Sequence, residues 1–185
     1  NNNIINENIV PEPSSPYGAS KAACEAFCIA FSKSYGLNVK CLRFSNVYGP
    51  NSWHKKSIVA TFYKNILRNK KTTIYGDGTQ TRDFIFVDDI CKGIIKSMNS
   101  NYNGVINLGA GKSYNLKYLI KKIKMITKSR VKINYQNFRK GEIKKAKIDN
   151  SKAISLIKFS ASQSFEEGLK KTWEWFNSYK KNFFK

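Results

Sequence analysis

A chain of 185 residues, 41% hydrophobic and 14% aromatic, has enough apolar material for one domain with a real core, and general disorder is excluded. Its 33 Lys and Arg against 12 Asp and Glu give a formal charge of +21, yet 28 of the 33 are Lys, whereas forked contacts to bases and phosphates are usually built from Arg. With 20 Asn and 20 Ile beside those lysines the composition follows A/T-rich codons, so no nucleic-acid role is assigned and the charge is read as a field favouring anionic ligands.

Residues 1–16 hold three prolines and little periodicity, and read as a loop or tail. From Tyr17 to Tyr35 the residues Cys24, Phe27, Cys28, Phe31 and Tyr35 recur at helical spacing, with Gly36 placed as a stop. Asn38–Phe44 reads as a short buried strand and Ser45–Lys56 as a loop. Ser57–Asn69 is a helix with Ile58, Phe62, Ile66 and Leu67 on one side. Thr72–Tyr75 is a strand, Gly76-Asp77-Gly78 a turn, and Arg82–Val87 another strand. Asp88–Met98 reads as helix, its two aspartates suited to the N-terminal dipole, and Gly104–Leu108 as a strand ending in Gly109-Ala110-Gly111. Leu116–Ile126 is a helix with a lysine-rich outer face, Val131–Tyr135 a strand, Ser151–Ile157 a short helix, and Phe165–Lys181 a last helix packing Leu169, Trp173 and Phe176. Helices alternating with short apolar strands give an α/β class with a largely parallel sheet.

Four cysteines, Cys24, Cys28, Cys41 and Cys91, lack metal-ligand spacing and read as reduced core residues of a cytoplasmic protein, with no metal site. The single His54 lies in a polar loop, which argues against a Ser-His-Asp hydrolase. No apolar run approaches the ~20 residues of a membrane span, so no membrane association is assigned. The chain opens Asn1-Asn2-Asn3-Ile4-Ile5 without a secretory pattern or an initiator Met, and is expected to be part of something longer.

The strongest local signal is Tyr17-Gly18-Ala19-Ser20-Lys21. A Tyr and a Lys four apart share one helix face, and an ammonium beside a phenol stabilises phenolate, which makes a usable acid/base. In a Lys-rich chain such a pair also arises by chance. Two further motifs keep it company, Arg43-Phe44-Ser45-Asn46-Val47-Tyr48-Gly49-Pro50 after the next strand, and Gly76-Asp77-Gly78-Thr79-Gln80-Thr81-Arg82-Asp83-Phe84-Ile85-Phe86-Val87-Asp88-Asp89. With Asn107-Leu108-Gly109, Arg139-Lys140-Gly141-Glu142 and Lys147–Ala153, the sequence resembles the nucleotide-sugar epimerase/dehydratase family of extended short-chain dehydrogenases/reductases over residues 11–176.

The resemblance implies part of a Rossmann-like doubly wound parallel sheet plus a smaller C-terminal α/β substrate-binding lobe, with the N-terminal βαβ half absent. Residues 1–56 and roughly 80–110 would belong to the first, and roughly 57–79 and 111–185 to the second. It implies NAD as cofactor, with Tyr17 as catalytic base and Lys21 as its partner on the nicotinamide ribose. Phe44 and Asn46 would lie between nicotinamide and sugar nucleotide, with Asn46 also touching substrate. Arg82 and Arg139 would bind the diphosphate, Tyr75 would hold the nucleotide base, and Glu142 a ribose hydroxyl. Phe44 and Tyr75 read equally well as packing residues, and Glu142 as a solvated carboxylate.

The family's Gly-rich turn and its catalytic Ser/Thr would precede Tyr17 and are absent from this sequence. The implied function is a UDP-hexose 4-epimerase working through a 4-keto intermediate, present as a portion expected to be inactive alone. A 4,6-dehydratase or decarboxylase of the same superfamily, or a non-catalytic sugar-nucleotide-binding remnant, are the rivals. The resemblance also implies a homodimer through helices 17–35 and 57–69, whose apolar sides fit a simple core equally well.

Overall fold

The computed structural model describes residues 4–139 and 144–180. In chain order the elements are β1 (Ile4–Ile5), α1 (Pro16–Tyr35), β2 (Lys40–Phe44), β3 (Asn46–Tyr48), α2 (Ile58–Leu67), β4 (Thr72–Tyr75), β5 (Thr81–Phe86), α3 (Val87–Met98), β6 (Gly104–Leu108), β7 (Ser113–Asn115), α4 (Leu116–Thr127), β8 (Ile133–Gln136), β9 (Lys147–Ile148), α5 (Ser151–Ile157) and α6 (Phe165–Tyr179). None of the described helices is long and apolar enough to cross a membrane.

Four ladders are parallel. β2 pairs with β6 from Lys40↔Gly104 to Phe44↔Leu108, and β3 pairs with β5 from Asn46↔Phe84 to Tyr48↔Phe86. β4 pairs with β8, and β1 with β9, while β5 and β7 are antiparallel. Ser45 is the joint between β2 and β3, its N–H donating to the Leu108 carbonyl at 3.0 Å.

Successive side chains of β5 face opposite ways, and the strand becomes the wall between two cores. Phe84 and Phe86 join Tyr48, Phe62, Tyr63, Leu119, Ile123, Leu169 and Phe176 in the larger one. Ile85 joins Ile90, Ile106, Leu108, Ala153, Ile157 and Phe159 in the smaller one. The apolar side of α2 is taken up by the larger core, where Phe62 is fully buried and Ile58 and Ile66 pack against it. Each such burial stabilises by about 1.5–3 kcal/mol.

α1 begins on a local signal, the Ser15 hydroxyl accepting from the Gly18 N–H at 3.1 Å with Pro16 at the first helical position, and ends at Gly36 with φ +65°. Yet none of its twenty residues is buried. It is fastened by Glu25, which accepts from Arg43 at 2.6 and 2.8 Å, and by Ser32, whose hydroxyl accepts from the Asn103 amide at 2.8 Å. Phe27 is 67% exposed and Tyr35 72%, so a stripe of apolar side chains has no cover. Beside it β2 pairs only with β6 among the described residues, which leaves one strand edge open.

Four short strands depart from the sequence reading. β1 lies in the stretch read as tail and β3 in the stretch read as loop, while β7 follows the Gly109–Gly111 turn and β9 the segment after β8, both unannounced. Each has two or three residues, too few for periodicity to register, and each forms because a partner strand supplies its hydrogen bonds. The cysteines correct the core reading as well: Cys24, Cys28 and Cys91 are exposed and Cys41 is half-buried. Helical spacing had assigned Cys24 and Cys28 to one face, but spacing does not say what covers that face.

Candidate active site

Two hollows flank the joint between β2 and β3, one reaching Phe44 and the other Asn46. The first is a groove of about 540 Å³ between α1 and β2, lined by Tyr17, Lys21, Cys24, Leu42 and Phe44. Tyr17 sits in the first turn of α1 and is 72% exposed. The four-residue spacing brings the Lys21 ammonium over its ring, 5.5 Å from the centroid. Phe44, 46% exposed at the end of β2, belongs to the groove rather than the core. Deeper in, burial pushes the Cys41 thiol up to about 11, with the adjacent Cys28 adding to it.

The second hollow is a cavity of about 270 Å³ lined by Asn46, Ser57, Tyr75, Gln80, Arg82 and Phe84, among others. Phe44 and Asn46 flank Ser45 and serve one hollow each. The Asn46 amide donates to the Asp83 carbonyl at 3.0 Å, and Arg82 donates to the Thr81 carbonyl at 2.9 Å. The Arg139 guanidinium carbon lies 3.5 Å from the Tyr75 ring centroid, a cation–π stack. Asn46, Tyr75, Arg82 and Arg139 are thus brought to one place, with Tyr17, Lys21 and Phe44 next door. Glu142 lies outside the described residues.

The remaining motif segments build the support. Asp83, 1% exposed, accepts from the N–H groups of Ala110 at 2.8 Å and Gly111 at 2.9 Å. Burial pushes its carboxyl up, against the pull of those two donors. Asn150 holds the same turn, accepting from the Gly109 N–H at 3.0 Å and donating to the Gly109 carbonyl at 2.5 Å. Asp89, read from the sequence as a helix-start residue, also reaches across to the chain before α6. It accepts from the N–H groups of Ser162 at 3.1 Å and Gln163 at 2.9 Å, and from the Ser162 hydroxyl at 2.9 Å. Sequence reasoning passed over Ser57 and Gln80 in the cavity wall. Gln80 had a legible signal, since it stands two residues before Arg82 and shares its side of an extended chain.

Chemically, a phenol and an ammonium share an open groove beside a cavity with a guanidinium, an amide and an aromatic ring. Known proteins are similar to this chain in sequence and fold. Residues 1–172 match the family model of GDP-mannose 4,6 dehydratase. The chain is 38% identical over 167 residues to a UDP-glucuronate 4-epimerase of Thermodesulfobacterium geofontis, covering 90% of this chain and 51% of the relative. It superposes with TM-score 0.86 and 39% identity on a UDP-N-acetylglucosamine 4-epimerase from Methanobrevibacter ruminantium in complex with UDP-N-acetylmuramic acid, covering 94% of this chain and 57% of that one. A UDP-glucuronic acid 4-epimerase from Bacillus cereus, in complex with UDP-glucuronic acid and NAD, matches with TM-score 0.87 and 30% identity over 95% of this chain and 56% of its own. The chain therefore spans about half the length of these relatives.

Proposed function

Because this chain belongs to the GDP-mannose 4,6 dehydratase-like family of NAD-dependent epimerases and dehydratases, we propose that it is the substrate-binding portion of a UDP-hexose 4-epimerase. One observation carries the reading: the groove with Tyr17 and Lys21 and the cavity with Asn46, Tyr75, Arg82 and Arg139 open on the two sides of a single joint.

The groove fits the nicotinamide end of NAD, since it offers a hydroxyl, an ammonium and an exposed aromatic edge side by side. Tyr17, Lys21 and Phe44 would hold that end, with Asn46 at the boundary. When bound, NAD supplies reversible hydride acceptance at sugar C4. Tyr17 takes the proton of the 4-hydroxyl and later returns it. Lys21 stabilises the negative charge that develops on the phenol and fixes the ribose hydroxyls by hydrogen bonds. Arg82 and Arg139 clamp the diphosphate, for which planar forked donors are suited. Arg139 would then leave the Tyr75 ring, giving its face to the base. With the diphosphate held, the 4-keto sugar can turn over in the cavity and be reduced on its other face. Glu142 is assigned to a ribose hydroxyl.

The uncovered stripe of α1 and the open edge of β2 support a dinucleotide-binding half packing there in the full-length protein. The smaller core would then belong to the dinucleotide-binding part and the larger one to the substrate lobe. The chain alone would bind sugar nucleotide without turning it over. A homodimer could use only the part of α1 which that half leaves uncovered, since α2 turns its apolar side inward. We place the protein in the cytoplasm, in the supply of sugar nucleotides for polysaccharide synthesis. A 4,6-dehydratase is the second reading, favoured by the match to the GDP-mannose 4,6 dehydratase family model.

The test is product analysis with the full-length protein and UDP-glucose by proton NMR. Appearance of UDP-galactose without net consumption of NAD bears the reading out. A 4-keto-6-deoxy product moves it to dehydratase, and no product with any UDP-hexose ends it.

A further inference from the structure

Gln80 immediately precedes β5, is 2% exposed, and lines the cavity. Its Nε2 donates to the Tyr75 carbonyl at 2.5 Å. A carbonyl can only accept, so the amide orientation is fixed and Oε1 is the atom left over. That oxygen is buried and has no hydrogen-bond partner among the described residues. Buried acceptors are rarely left unpaired, because the orphaned group has given up its water for nothing.

The order of residues along β5 says which part of a ligand comes near it. Gln80, Arg82 and Phe84 alternate with residues of the other face and form one row in the cavity wall. At ~3.3 Å per residue the row runs about 13 Å. Asn46 stands opposite Phe84 in the ladder, beside the joint to the Tyr17 groove. Arg82 occupies the middle. Gln80 lies at the far end, tied to Tyr75, whose ring is the aromatic surface there. A nucleoside diphosphate sugar laid along the row, sugar towards Asn46 and phosphates at Arg82, brings its base to Gln80. Phosphates carry no donor at neutral pH, and a uracil-type imide carries one N–H.

We propose that Gln80 is a specificity-determining residue, its Oε1 accepting the imide N–H of a uracil-type base. This rests on the reading of the cavity as a nucleoside-diphosphate site. The arrangement rejects cytosine, whose ring nitrogen at that position is an acceptor facing another acceptor.

The experiment is calorimetric titration of this chain with UDP, UDP methylated at N3, CDP and inorganic pyrophosphate, repeated with Gln80→Met after confirming its fold by circular dichroism. The expected result is about tenfold weaker binding of N3-methyl-UDP and CDP than of UDP in the native chain, one charge-free hydrogen bond's worth. In Gln80→Met the three nucleotides should bind alike. Equal binding of UDP and N3-methyl-UDP to the native chain overturns the proposal and needs no variant. So does discrimination that survives in a folded Gln80→Met, and in both cases the diphosphate site stands. Failure of all four ligands to bind overturns the reading of the cavity itself, and this inference with it.

Discussion

α1 and α4 each carry a tyrosine followed four residues later by a lysine, and in both the ammonium sits over the ring, at 5.5 Å for Tyr17–Lys21 and 5.0 Å for Tyr118–Lys122. Their surroundings are opposite. The Tyr118 hydroxyl donates to the Glu166 carboxylate, Lys122 lies 3.0 Å from the same carboxylate, and the Tyr118 ring stacks on Tyr114 at 5.2 Å. That pair is closed on itself, on a helix anchored by Leu116, Leu119, Ile120 and Ile123. Tyr17 and Lys21 stand in an open groove on a helix with no buried residue at all. A carboxylate holding both partners leaves neither a proton to lend nor room for a substrate. The spacing makes the pair, and the environment decides whether it is available for chemistry.

The widest separation between the two helices should appear in turnover. In the full-length protein, Tyr17→Phe removes the proposed acid/base and should cut kcat by about 10²–10⁴-fold. Tyr118→Phe should leave kcat within about twofold, because its hydroxyl is engaged by Glu166 and Lys122. Equal losses in steady-state assays would erase the distinction. In stability the ranking reverses. Leu119→Ala empties a fully buried site of the larger core and should cost about 2–5 kcal/mol in urea unfolding of this chain. Phe27→Ala on α1 should stay within about 0.5 kcal/mol, since that side chain is 67% exposed.

Much of this was legible beforehand. Stretches such as 116–126 and 151–157 came out within a residue of the observed helices, because a core face repeats often enough to be read. That Tyr17, Lys21 and Phe44 share one hollow and Asn46, Tyr75 and Arg82 the other could be anticipated, because they stand in or next to the motifs that carry the resemblance; their roles are those proposed above. What stayed hidden depends on contacts distant in the chain. Asp89 was read as a helix-start residue, and nothing in the sequence near it foretells Ser162 and Gln163. The cysteines of α1 read as core because the missing cover of a helix leaves no trace in its own periodicity.

A smaller effect tests how α1 is fastened. Arg43 binds Glu25 through two nitrogens, and the carboxylate pushes the guanidinium up. Arg43→Met should release α1 without unfolding the rest, raising amide hydrogen exchange across Ala22–Tyr35 by roughly tenfold, as a charge-assisted pair of this kind implies. The amides of α4 should not change. Uniform acceleration in both helices would mean that α1 is not a separately opening unit.

The smallest effect belongs to the fastener of α4. The Tyr118 hydroxyl, with Lys122 second, holds the Glu166 carboxyl below the usual carboxylate range. A carboxyl lowered by folding stabilises the native state at pH values above its unfolded pKa. That contribution disappears as pH falls from about 4.5, the ordinary glutamate value, through the lower folded one. The side chain is 42% exposed, so solvent screens the pair and the gain should stay under about 1 kcal/mol. Urea unfolding at pH 7 and pH 3 should therefore show Glu166→Gln slightly weaker than native at pH 7 and indistinguishable from it at pH 3. A deficit that persists at pH 3 would assign the loss to packing around Tyr118 rather than to charge, and the two helices would then differ by shape instead of by the carboxylate that closes one of them.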